Sequence, residues 1–113
     1  MTKIIRLEDG TKYVANLKKD IKVYAAPVNP PNTGSIYTDG TDLYTHATKT
    51  HGYQFYKYEW SMWQGSEDKI IPVTKDEAIR FLESVSDDYN GFPDADDLEE
   101  LKEYGIDLAE ETA

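Results

Sequence analysis

The sequence predicts an α+β domain, a small and mainly antiparallel sheet of about five or six short strands followed by two C-terminal helices. β-prone runs bounded by turn residues occupy residues 1–73, and helical spacing of apolar residues begins only after Val73. The two kinds of element follow one another rather than alternate, which excludes a parallel βαβ sheet and favours an antiparallel one covered on one face. A chain of 113 residues is one domain's worth, removing roughly two thirds of its unfolded surface from water on folding.

Lys3–Leu7 and Lys12–Leu17 are the first two strands, and the Asp9-Gly10 pair between them is a hairpin signal. Ile21–Ala26 is a third strand. It ends at Pro27-Val-Asn-Pro-Pro-Asn-Thr-Gly34, a stretch that no ladder sustains and that reads as an exposed loop. Ser35–Thr38 and Asp42–His46 are two further short strands, with Asp39-Gly40 as the turn signal between them. Tyr53–Trp60 is the strongest strand in the chain. Its period of two places Gln54, Tyr56, Tyr58 and Trp60 on one face, expected to be the core face, and Tyr53, Phe55, Lys57 and Glu59 on the other.

Thr74-Lys-Asp-Glu77 opens the first helix as a capping box, and Ala78, Phe81, Leu82 and Val85 have the spacing of a helix laid on a sheet. Asp87–Pro93 is a loop. Asp94 caps a second helix running through Leu98, Leu101 and Tyr104, and Gly105 supplies its left-handed stop. The chain divides into a β-rich part at 1–73, an acidic helical part at 74–105 and a flexible tail at 106–113.

Charge is the sharpest feature. The formal net charge is −10, yet residues 1–73 hold nine Lys or Arg against eight acids, whereas residues 74–113 hold three bases against fourteen acids. The aromatic residues crowd the other part. An acidic surface repels phosphates, so direct nucleic-acid binding is not expected. The absence of Cys excludes disulfides, thiolate metal sites and cysteine nucleophiles, and fits a reducing, cytoplasmic location. No apolar run reaches the length of a membrane span, so no membrane partner is expected.

Leu43-Tyr44, a turn ending in Gly52, Phe55-Tyr56 and Tyr58, and then Gly65-Ser-Glu-Asp-Lys-Ile-Ile-Pro-Val-Thr-Lys-Asp-Glu-Ala-Ile-Arg-Phe-Leu-Glu83 together resemble a set of small uncharacterised bacterial proteins, many from mobile elements. Those proteins share a Leu-Tyr hairpin with an aromatic return strand and an Ile-Ile-Pro-Leu-Thr segment capping a helix. Where they carry consecutive glycines, this chain has Tyr58-Glu-Trp-Ser-Met-Trp63. By size and charge the chain is also similar to anti-CRISPR and antirestriction inhibitors of phages and mobile elements. The resemblance implies a fold more than a chemistry.

Two candidate surfaces emerge from the residues. Asp87, Asp88, Asp94, Asp96, Asp97, Glu99, Glu100 and Glu103 offer carboxylates to a basic site, as a mimic of nucleic-acid phosphates; a solvated helix face is the plainer alternative. Tyr58, Trp60 and Trp63 are candidate aromatic anchors for a protein or small ligand, against a role in core packing. His46 and His51 with Asp42 are a weak zinc pattern, and no start within Asp87–Asp97 meets the EF-hand spacing. No nucleophile stands in a recognisable setting. The expectation is a non-enzymatic, cofactor-free protein that binds a basic nucleic-acid-processing partner, or else an accessory domain that binds through its aromatic sheet.

Overall fold

The computed structural model describes residues 2–27, 39–61, 68–86 and 91–108. Strands β1 (Thr2–Arg6) and β2 (Lys12–Asn16) form a hairpin that is a sheet of its own. Strands β3 (Ile21–Pro27), β4 (Asp39–Ala47), β5 (Tyr53–Ser61) and β6 (Lys69–Val73) form an antiparallel sheet in the order β3-β4-β5-β6. Helices α1 (Lys75–Val85) and α2 (Ala95–Glu103) follow. Neither described helix is long and apolar enough to cross a membrane.

The α+β class and the order of strands before helices are as the sequence predicts, but the strands divide into two sheets instead of one. The physical reason lies in β5, whose two faces both carry large side chains. Phe55 packs with Leu43, Ala78, Leu82, Leu101, Tyr104 and Ile106 under the helices. Tyr56 packs with Tyr44, Ile70, Ile5, Tyr13 and Ala15 under the hairpin. The four-stranded sheet is therefore the middle of three layers, with a core on each side, and the expectation of a single covered face is corrected.

Local chemistry accounts for each element. In the β1–β2 turn Gly10 takes φ +91°, a conformation that L side chains rarely adopt, while the Asp9 carboxylate accepts from the amide and hydroxyl of Thr11. The Thr74 hydroxyl accepts from the Glu77 amide, and the Glu77 carboxylate accepts from the Thr74 amide. Asp94 and Asp97 repeat the reciprocal pattern at α2. Gly105 at φ +82° ends that helix, with the Ile106 amide donating back to the Leu101 carbonyl.

Three further expectations are revised. Asp39-Gly40 does not turn the chain but begins β4, paired with Ser61 and Trp60; the strand expected at 35–38 lies outside the described residues. β6 has no counterpart in the sequence reading. Its Pro72 is tolerated because β6 is an edge strand, paired only with β5. The extension expected at 106–113 does not begin at 106, since Ile106 is fully buried and Leu108 packs on the same cluster.

Candidate functional site

The hairpin covers only part of the sheet face beneath it. Alternation along β4 and β5 puts Asp42, Tyr44 and His46, together with Gln54, Tyr56, Tyr58 and Trp60, on that face. The hairpin is clamped over one end of the row. His46 Nδ1 lies 2.7 Å from Asp20 Oδ1, its ring stacks on Tyr13 with centroids 4.7 Å apart, and the Tyr56 hydroxyl donates to Asp20 Oδ2 at 2.6 Å. At the hairpin's turn, His51 Nε2 lies 2.6 Å from Asp9 Oδ2. Asp9 is held below the usual carboxylate range, chiefly by its bonds from Thr11 and then by His51. Both histidines are thus occupied with carboxylates from the hairpin and the turn that follows it. Among the described residues no three His, Cys, Asp or Glu side chains converge as a metal site, and the weak zinc pattern of His46, His51 and Asp42 is not assembled, because His46 is drawn to Asp20 and His51 to Asp9.

Beyond the hairpin, the described residues of the same sheet face form a concavity. Lys22, Ala25, Asp42, Tyr44, Tyr58 and Trp60 line a shallow cleft of about 420 Å³, with Ser61 and Asp68 at its rim. Asp42 is 5% exposed. It accepts from Trp60 Nε1 at 3.2 Å and lies 3.5 Å from the Lys22 ammonium, which also sits 5.8 Å over the Tyr44 ring. Asp68 accepts from the Tyr58 hydroxyl at 2.5 Å and from the Ser61 amide. That hydrogen bond, followed by burial, pushes the Tyr58 phenol up to about 12. Tyr58 and Trp60 are half-buried, so they are neither interior residues like Tyr56 nor free anchors. A second concavity, about 500 Å³, opens between the hairpin turn and the start of α1, beside Leu7, Asp9, His51, Phe55 and Val73.

The acidic candidates fall into three groups. Asp94 and Asp97 are engaged in capping α2. Asp96, Glu99, Glu100 and Glu103 are exposed along its outer surface, and Glu100 accepts from the Tyr104 hydroxyl at 3.0 Å. Asp87 and Asp88, like Trp63, lie outside the described residues. The helix packs inward through Leu101 on the Leu43–Phe55 side of the sheet, whereas the cleft opens on the Tyr44–Tyr56 side. The two candidate surfaces are therefore on opposite faces of the middle layer and are not one site.

Sequence reasoning missed Lys22, Asp68 and Asp20. Asp20 and Tyr56 are 36 residues apart and His51 and Asp9 are 42 apart, contacts that only the fold creates. The alternation of Asp42, Tyr44 and His46 was the available signal for the cleft's β4 wall. No family model, no curated protein and no solved structure matches this chain.

Proposed function

We propose that the protein acts without catalysis, by stoichiometric binding, with the outer carboxylates of α2 facing a basic, nucleic-acid-binding surface of another protein and keeping nucleic acid from it. The observation that carries the reading is the spacing of Asp96, Glu99, Glu100 and Glu103, all exposed on a nine-residue helix whose basic residue is Lys102. Pairs three and four apart are neighbours on a helix surface, so this face holds four like-charge pairs, each costing the isolated helix about 0.2–0.5 kcal/mol. Folding has no need of that repulsion, and cations supplied by a partner relieve it. The resemblance to mobile-element proteins agrees with an inhibitor of this kind.

The test is capture of a host partner by the wild-type chain and by a variant with Asp96, Glu99, Glu100 and Glu103 changed to Lys, followed by competition with duplex DNA. The expected result is a DNA-competed partner that the variant does not hold, with an association rate that falls steeply as salt rises. A rate indifferent to ionic strength refutes the electrostatic reading. Truncation after Val85 is unsuitable, because Leu101, Tyr104 and Ile106 complete the core beneath α1. A second reading, an accessory domain that binds through the aromatic sheet, is favoured by the open cleft around Trp60.

A further inference from the structure

The cleft already holds a cation of its own. The Lys22 ammonium is placed between the Tyr44 ring and the Asp42 carboxylate, while its side chain remains 50% exposed, so the residue that shows what the cleft accepts is not locked into it. Two carboxylates, Asp42 and Asp68, line the cleft together with that one ammonium, and Asp42 is the one beside it. Each accepts two of the interactions described above, and a carboxylate has about four acceptor positions, so both retain capacity for a further donor. Tyr58 and Trp60 supply half-buried ring surface beside them. Aromatic faces bordered by carboxylates, with negative charge in excess, are the chemistry that recognises a cationic side chain. A guanidinium fits better than an ammonium, because its plane stacks on a ring while its fork of N–H groups reaches a carboxylate.

We propose that the Lys22–Asp42–Tyr58–Trp60 cleft is a receptor for an arginine side chain of a protein partner, with Lys22 as the built-in cation that the arginine displaces. This deepens the aromatic-sheet reading and is independent of α2, which lies across the middle layer. Lys22 acts as a competitor, so its loss strengthens binding rather than weakening it. A merely structural lysine gives the opposite result.

The experiment follows the indole N–H resonance of Trp60 in the ¹⁵N-labelled full chain during titration with a capped arginine-containing tetrapeptide, and with the same peptide carrying neutral citrulline. The arginine peptide is expected to shift that resonance and the citrulline peptide to leave it in place. Lys22→Met should tighten the arginine peptide by about fivefold, the equivalent of one exposed cation–π contact. Asp42→Asn should weaken it at least as much, with the dispersed amide spectrum reporting that the variant is folded. Where Asp42→Asn does not fold, Lys22→Met and the citrulline control decide. Equal responses to the two peptides, or no tightening in Lys22→Met, overturn the proposal. A peptide that leaves the Trp60 indole in place while shifting the amides of Glu99 and Glu103 places the arginine on α2, so the cleft proposal falls while the electrostatic reading stands.

Discussion

The Tyr56 hydroxyl donates to Asp20 Oδ2 at 2.6 Å, joining the middle of the strongest strand to the turn that leaves the hairpin. Asp20 also accepts from the Asn16 amide at 2.8 Å and faces His46 through its other oxygen. One side chain thus serves three donors from three parts of the chain. Tyr56 is fully buried, and without Asp20 its hydroxyl is left unpaired in the core. Asp20→Ala is expected to cost about 3 kcal/mol in urea unfolding, and Tyr56→Phe about 1 kcal/mol, since the second change removes the donor together with its need for a partner.

Ile106 has no exposed surface although it follows the helix stop at Gly105. Ile106→Ala should destabilise the protein by about 2–4 kcal/mol, the range for truncating a buried aliphatic side chain, whereas a frayed tail would show no change in the same unfolding curve.

Four phenols are shifted upward. Burial and then Asp20 raise Tyr13 to about 12, and burial followed by the same carboxylate moves Tyr56 in the same direction. The bond to Asp68 brings Tyr58 to about 12, and burial with the bond to Glu100 does the same for Tyr104. Folding favours the protonated phenol in each case. The stabilisation is complete below the ordinary tyrosine pKa of 10.0 and is lost as pH rises from there toward about 12. Phenolate absorbance in the native protein should therefore develop late for these four of the nine tyrosines, and unfolding midpoints should fall steeply over the same interval.

At the acid end the sign reverses. Glu77 is held below its ordinary value of 4.5 by the Thr74 amide and then by the Thr74 side chain, so its contribution is present above that value and lost as pH falls through the lower folded one. Thr74→Ala is expected to cost about 1 kcal/mol at neutral pH. Glu77→Ala removes the titrating half of the box, so its cost should shrink on acidification, where the carboxyl is already protonated; a pH-independent cost of that change in urea titrations contradicts the pairing.

Glu99→Gln together with Glu103→Gln removes three of the four repulsive pairs from an exposed helix face. Thermal unfolding should show a gain of about 0.6–1.5 kcal/mol, three times the cost of one pair, while association with a basic partner slows. A gain in stability coupled to a loss of binding separates a face kept for a partner from one kept for solvation.

How much of this was legible in the sequence depends on the range of the interaction. Turns and caps are written within four residues, so Asp9-Gly10, the Thr74–Glu77 box, Asp94 and Gly105 are readable directly. β6 was not, because a five-residue strand containing Pro72 gives no alternation to read and becomes a strand only by pairing with Tyr53–Ser61. The second core layer was hidden for a related reason. Period-two analysis of β5 assigns one face inward, and with Tyr56 and Phe55 both buried the pattern does not reveal that the strand is covered twice. Of the candidate site, Tyr58 and Trp60 were readable as a type of surface, but Lys22, Asp42 and Asp68 were not readable as their partners, since β-pairing and the β5–β6 connection alone bring them together.

The outer border of β6 has a consequence for the behaviour of the protein in concentrated solution. The Ile70 carbonyl receives the Lys3 ammonium at 2.9 Å, and two residues on, along the same border, Pro72 has no amide hydrogen to offer. An incoming extended chain that sought to continue the sheet there would meet one acceptor already engaged and one donor missing. Strand addition is thereby hindered at this border by a lysine and a proline, a local device separate from the net charge.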